Sequence, residues 1–420
     1  MVSWLGYKMN VLFVHNNFPG QYRHIARELA RDPQNHLAAI GTSTAQEIDG
    51  VKLIKYCLNG VDLSASHPFS RRFDMECHRA EQVLYALSSL VSSGFKPDVV
   101  LAHPGWGEAL PLRTIFPDAR ILLYCEFFYG TNGRDVGFDP EIPETGTDGH
   151  IALHLKNAST LLALTECNKA ISPTAWQRST FPAEYQHKIA ILHEGVDTDT
   201  VKPNPDAVLR FSSGRELRRS DEIVTFAARN LEPTRGYHCF MRALPRIMKE
   251  RPNAEIIIIG GDGTSYGPSP PKGATWKSRY LKEVADRIDL RRIHFTGPLP
   301  YTDYVKALQV SSAHVYLTVP FVLSWSLLEA MSAGCLVIGS DTPPVREVIS
   351  SNNGIVVPFF DTECLAQRVI EALAFSHRLD PLRAQARRTI VDQYDMTRIC
   401  LPKMKAVIEN RDVGYSGASI

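Results

Sequence analysis

The strongest constraint on this chain is a rhythm: short apolar, β-branched runs alternate with longer amphipathic stretches, and the rhythm starts twice. That alternation is the pattern of parallel sheets covered by helices, because each parallel strand needs a crossover helix to return to the same edge. In the first half, strands are expected over residues 10–15, 37–41, 99–102, 121–125, 169–172 and 189–192, with helices over 21–31 and 73–90. In the second half they are expected over 223–227, 255–260, 293–296, 314–318 and 336–339. Helices should follow over 239–249, 278–288, 301–309, 326–333 and 345–350. Between the halves, residues 201–221 break the rhythm with KPNPD and a serine-rich stretch carrying Arg210, Arg215, Arg218 and Arg219, which reads as a solvated linker. At 420 residues the chain exceeds one ordinary core. The expected organisation is therefore α/β: a doubly wound domain over 1–205, a second over 206–395, and a helix and tail over 396–420 that pack back on the first.

Composition removes several function classes. Lys plus Arg number 46 against 45 for Asp plus Glu, so no charge bias points to nucleic acid. The eight cysteines, at 57, 77, 125, 167, 239, 335, 364 and 400, stand singly with no CxxC pair and no zinc-ligand spacing, which fits a reducing cytoplasm. The opening MVSWLGYKMN is too short and polar for a signal-peptide core, and no run reaches the ~18 apolar residues of a membrane span. A cytoplasmic protein is expected, with docking on the inner face of a membrane left open.

Ligands of doubly wound sheets lie beyond the carboxyl ends of the strands, so the strand-to-helix turns carry the candidate chemistry. ARNLEPTRG (228–236) follows the strand 223–227 and holds Arg229 and Arg235 six residues apart, two fixed cationic forks suited to phosphate oxygens. PFVLSWSLLEAMSAGCLVI (320–338) runs from a strand into a helix opening near Ser324, whose first N–H groups suit a diphosphate, and Glu329 follows about a turn later. The insertion 261–274, GDGTSYGPSPPKGA, reads as an exposed, mobile loop. Its GGDG lacks the GxGxxG spacing, and its prolines oppose a phosphate-cradling helix, which weighs against a nicotinamide-dependent oxidoreductase. Asp197 and Asp199 form a DxD string at the linker and read as turn chemistry. His150 and His154 share a helix face without a third ligand. No metal site is expected.

These segments together resemble the donor-binding half of the family-four (group 1) retaining glycosyltransferases, whose GT-B fold consists of two Rossmann-like domains facing across a cleft. Arg229 and Arg235 resemble the family's Arg and Lys phosphate clamp, with Arg235 in the lysine's place. LLEAMSAGCLVIGSDTPPVREVI (327–349) resembles the long donor signature, NGIVVP (353–358) its NGxLVP, and ILHEGVDTD (191–199) the phrase leading into the linker. The resemblance implies that Arg229, Arg235 and Glu329 act on the donor, the carboxylate holding the ribose. Gly20, Phe321, Ser324, Trp325, Ser326 and Leu327 would line the donor site, and His103 and Glu126 would face the sugar or acceptor. Two departures stand out: Phe321 occupies the place of a second glutamate, and FPGQY (18–22) has one glycine where a pair is common. The implied substrate is a nucleotide-diphosphate sugar and the implied acceptor a glycan or lipid-linked saccharide. No separate cofactor and no metal are needed, and the implied outcome is retention of anomeric configuration. A non-catalytic nucleotide-sugar-binding protein is the alternative, because Phe321 and Glu126 replace residues that are often functional.

Overall fold

The computed structural model describes residues 8–143, 145–212 and 214–411. By their contacts these residues form two units: 8–132, 145–195 and 396–411 in the first, 133–143 and 196–395 in the second.

The first unit is built on β1 (Asn10–Val14), β2 (His36–Gly41), β3 (Val51–Lys55), β4 (Val99–Ala102), β5 (Arg120–Tyr124), β6 (Lys169–Ser172) and β7 (Ile189–Ile191). All neighbours are parallel, in the order β3-β2-β1-β4-β5-β6-β7. Both faces of β1 are buried, which is why its sequence is apolar throughout rather than alternating. Leu12 and Val14 join one core with Val100, Leu123 and, from the helix Arg71–Ser92, Leu87 and Leu90. Val11 and Phe13 join another with Ile25 and Leu29 of the helix Arg23–Ala30. Met404, Val407 and Ile408 of the helix Leu401–Ile408 complete that second core. The end of this last helix is held by Arg120, whose guanidinium donates to the Ile408 and Val407 carbonyls at 2.7 and 2.9 Å, a cation on the negative end of the helix.

The second unit carries β8 (Val208–Arg210) and β9 (Glu216–Arg218), an antiparallel pair. Its main sheet contains β10 (Ile223–Asn230), β11 (Glu255–Gly261), β12 (Ile293–Gly297), β13 (Ala313–Tyr316), β14 (Val337–Ser340) and β15 (Ile355–Val357). These strands are parallel in the order β12-β11-β10-β13-β14-β15.

Three features differ from the sequence expectation. Residues 201–221 are not a linker: Leu209 and Leu217 of the β8–β9 pair enter a core with Ile223 and Ile257. The arginines there are engaged, Arg210 and Arg218 with Glu216, Arg215 with Glu255, and Arg219 with the Ser311 carbonyl. The boundary lies at Gly195–Val196 rather than 205–206. The Val196 N–H donates to the Tyr394 carbonyl at 2.8 Å, and Val201 is buried with Leu327 and Leu328. Strands β3 and β15 are additional to those expected, because both are edge strands, short and only partly buried, so neither shows a continuous apolar run.

In each sheet the strand order reverses at one place, between β1 and β4 in the first and between β10 and β13 in the second. Crossover connections leave such a switch point on opposite sides, which opens a crevice at the carboxyl ends of the two strands.

Burial also sets an acid limit on the fold. It pushes the imidazoles of His15, His193, His238 and His314 down, to about 3, 4, 4 and 4. In the unfolded chain each titrates near its ordinary value of about 6.5, so between that pH and the folded values the unfolded state binds more protons. The stability these histidines contribute is complete above about pH 6.5 and is lost as pH falls toward 4. Glu108, which burial pushes up to about 7, and Glu76 and Asp139, which burial also raises, act in the opposite sense, whereas the lowered carboxyls of Glu126, Glu141 and Asp289 act with the four histidines. The melting temperature should therefore fall steadily from about pH 7 to about pH 4.5 in a calorimetric series, and a flat or rising profile would contradict neutral burial of these rings.

Candidate functional site

At the switch point of the second sheet, β10 ends in Arg229 and Asn230. The Arg229 side chain is exposed, and among the described residues it has no bonded partner. The chain then turns through Glu232, which is fully buried and whose Oε2 accepts backbone N–H bonds from Ser265, Tyr266 and Gly267 at 3.2, 3.3 and 3.3 Å. Three donors on one carboxylate oxygen fix the loop after β11, so the start of the 261–274 insertion is pinned rather than mobile as expected.

Arg235 ends the short 3-10 turn Pro233–Arg235 and is buried, unlike Arg229. Its Nη1 donates to Thr318 Oγ1 at 2.8 Å, to the Val322 carbonyl at 2.9 Å and to the Tyr316 hydroxyl at 3.5 Å. The guanidinium lies 5.3 Å from the Tyr266 ring centroid and 5.8 Å from that of Phe321. Arg235 thus braces the turn after β10 to the turn after β13. These bonds all leave from one nitrogen, so Nε and Nη2 remain to meet an oxyanion. Gly236 follows at φ +67°, with no room for a side chain against Leu317.

The turn after β13 leads to the helix Trp325–Ser332. Ser324 caps it: its Oγ accepts the Ser326 N–H at 3.3 Å and meets Ser326 Oγ at 3.0 Å, while its own N–H donates to the Tyr316 hydroxyl at 2.8 Å. Trp325 is exposed at the helix start. Phe321 is buried with its ring centroid 5.1 Å from that of Tyr266, an apolar wall where a carboxylate is common in the resembled family. Leu327 requires a correction. Its side chain is wholly in the core and its N–H donates to the Ser324 carbonyl at 3.2 Å, so it offers a ligand nothing directly. Glu329 is half-buried and accepts from the Tyr301 hydroxyl at 2.9 Å. Burial, and then the Glu329 charge, push the neighbouring Tyr304 phenol far above its usual range.

The first sheet gathers a second polar group at its own switch point. His15 follows β1, His103 follows β4 and Glu126 lies just past β5. His103 stacks on Trp106 at 3.7 Å, accepts the Gly105 N–H at Nδ1 (3.2 Å), and places Nε2 3.7 Å from Glu126 Oε2. Gln21 bridges the group, its Oε1 2.7 Å from His15 Nε2 and its Nε2 donating to Glu126 Oε1 at 3.2 Å. His15 accepts the Asn17 N–H at Nδ1 (3.0 Å), so with Gln21 oriented in this way the ring carries its proton on Nε2 and is neutral. Burial opposes ionisation of Glu126. The hydrogen bond and charge of His103, helped by the hydrogen bond from Gln21, outweigh it and hold the carboxyl below its usual range. Gly20 lies over this group at φ +45°, and a Cβ there would fall 2.6 Å from His15 Cε1. Its role is therefore local: it lets the turn close on the His15 ring.

His15, Gln21 and Glu232 are functional candidates that sequence reasoning does not single out. For His15 a signal exists, since it directly follows the apolar run VLFV; Glu232 is recognisable only once the later loop is folded onto it. Asp197 accepts N–H bonds from Asp199 and Thr200 at 3.2 and 3.1 Å, which is turn chemistry. His150 and His154 lie on the helix Gly146–Leu155, and the described residues offer them no third ligand.

Comparison with known proteins gives matches over both units. Residues 33–201 match the model of the glycosyl transferase family 4 group, and residues 221–374 that of glycosyl transferases group 1. A phosphatidyl-myo-inositol mannosyltransferase of Mycolicibacterium smegmatis is 30% identical over 190 residues, 43% of this chain and 44% of that protein. A GDP-mannose-dependent alpha-(1-6)-phosphatidylinositol monomannoside mannosyltransferase of the same organism is 27% identical over 298 residues, 67% of this chain and 68% of that protein. The match to the first of these relatives thus spans less than half its length. Among solved structures, a sucrose-phosphate synthase from Thermosynechococcus elongatus superposes with a TM-score of 0.71 at 15% identity, covering 96% of this chain and 99% of the other. Anabaena HepE, in complex with UDP and glucose, gives 0.65 at 14% identity, covering 96% and 100%. At such identities the structures speak for the fold alone. With two parallel-sheet α/β domains of GT-B type, one matching each half of the family, the chain belongs to the family 4, group 1 glycosyltransferases.

Proposed function

We propose that this protein transfers a sugar from a nucleotide-diphosphate sugar to a glycan or lipid-linked acceptor, with retention of anomeric configuration and without a metal ion on the diphosphate. The observation that carries the proposal lies at the second switch point. There Arg229, exposed and without a bonded partner among the described residues, is paired with a buried, braced Arg235 that keeps donors in reserve. Negative charge grows on the departing diphosphate in such a transfer, and fixed guanidinium donors stabilise it without reorganising, which is the task a metal ion performs elsewhere. The start of the helix Trp325–Ser332 adds its positive end. A phosphate oxygen of the leaving group takes the acceptor proton, so no protein nucleophile is assigned. Glu329 accepts from the ribose diol, and within the first unit the His103–Glu126 pair is itself suited to orient a sugar hydroxyl.

The relatives' mannosyl chemistry makes GDP-mannose the first donor to try and a phosphatidylinositol-type lipid the first acceptor. A lipid-linked acceptor would bring the protein to the inner face of a membrane as a peripheral visitor, since no helix among the described residues is long and apolar enough to cross one. A thermal-shift screen against GDP-, UDP- and ADP-sugars, with and without chelator, followed by a transfer assay with the stabilising donor, tests the reading. Absence of any nucleotide-sugar shift, or transfer abolished by chelator, would count against it. For Glu329→Ala, nucleoside diphosphate should bind about tenfold more weakly by calorimetry, the equivalent of losing charge-assisted hydrogen bonds to the diol. Unchanged affinity would remove the ribose role.

A further inference from the structure

Residues 133–143 follow β5 in sequence yet belong to the second unit. Phe138 packs its ring 5.3 and 5.4 Å from those of Phe359 and Phe360, which sets Asp139 against the start of the helix Tyr237–Glu250. Asp139 is 5% exposed there, and fully buried His238 presents Nε2 at 3.2 Å from Asp139 Oδ2. Glu141 stands at the rim, and one ligand atom from each of the three lies within 4.8 Å of the others.

Two buried polar atoms of this group lack a hydrogen-bond partner, Asp139 Oδ2 and His238 Nδ1. The Cys239 sulfur lies 3.3 Å from the same Nε2 that faces Asp139. Asp139 Oδ2 therefore has no hydrogen bond although Nε2 stands 3.2 Å away, and a cation held between the carboxylate and the ring would partner it.

We propose that Asp139, Glu141 and His238 form a site for a zinc-class divalent cation in the second unit. One neutral imidazole and two carboxylates balance a double charge and suit zinc better than calcium or magnesium, which prefer all-oxygen shells. Zinc bonds of about 2.0–2.2 Å in a tetrahedron space the ligand atoms roughly 3.3 Å apart, close to the His238–Asp139 separation. Glu141 now accepts from Arg242, which also donates from Nε to Glu283 at 2.9 Å. Arg242 can therefore release Glu141 to the cation and keep Glu283. The cation would clamp segment 133–143 onto the helix that begins just after Arg235. None of its ligands belongs to the proposed donor set, so the two proposals fail independently.

The test is calorimetric titration of the chelator-stripped full chain with Zn²⁺ alone, with circular dichroism confirming the fold of each variant. One site per chain is expected, weakened about tenfold or more by His238→Gln and by Asp139→Asn. Glu141→Gln, at the exposed rim, should weaken binding as well. Zinc should also slow tryptic cleavage after Arg134, which lies in the clamped segment. No stoichiometric uptake, or uptake that Glu141→Gln and Asp139→Asn leave undiminished, overturns the proposal.

Discussion

Arg229→Ala should lower transfer turnover by about 10²–10³, the usual cost of removing one donor aimed at developing charge, while leaving the melting temperature unchanged. The second half of that expectation follows from exposure: the side chain has no bonded partner among the described residues, so truncation removes nothing the fold uses. Arg235→Ala should behave differently. It removes buried, charge-assisted bonds to Thr318 and the Val322 carbonyl, so stability falls by roughly 1.5–3 kcal/mol along with turnover. Steady-state assays paired with thermal melts separate the two. If Arg229→Ala keeps wild-type turnover on the donor that stabilises the protein, the phosphate role assigned to it is wrong.

Gly236→Ala is expected to be among the most damaging small substitutions in the second unit. The backbone stands at φ +67°, where an alanine costs about 1 kcal/mol relative to glycine, and the new Cβ would lie 2.3 Å from Leu317 Cβ. Leu317 leaves the end of β13 toward the turn that Arg235 braces, so relief of the clash displaces one side of the nucleotide site or the other. A loss of roughly 3 kcal/mol or more is expected in urea unfolding, with a fall in turnover beyond what instability explains. Leu317→Gly in the same chain, which removes the clashing Cβ as well as the rest of the side chain, should recover the part of the loss due to crowding and none of the part due to φ, which a double-mutant cycle resolves. A loss under about 1 kcal/mol would mean that the turn is looser than its geometry indicates.

The sheets are legible in the sequence because buried parallel strands need unbroken apolar runs, and β1, β5, β10 and β11 have them. The edge strands β3 and β15 are not, because an edge exposes part of each strand and dilutes that signal with lysine or brevity. The β8–β9 pair hides behind charge: Leu209 and Leu217 point inward between arginines that read as a solvated stretch. In the candidate site, position and resemblance name Arg229, Arg235 and Glu329, but not their unequal burial, since what surrounds Arg235 comes from the turn after β13. Leu327 is misassigned by sequence because helix phase, rather than proximity to the turn, decides which side chains face a ligand. Glu232 and the Asp139–His238 pair depend on segments far apart in sequence, and no local pattern announces them.

The way the chain divides also dictates an order of assembly. The face of the first sheet bearing Val11 and Phe13 is closed by Met404, Val407 and Ile408, which emerge from the ribosome only after the whole second unit has been made. The half that is synthesised first is therefore finished last, and until then an apolar surface waits open, which gives a chaperone a defined interval in which to act.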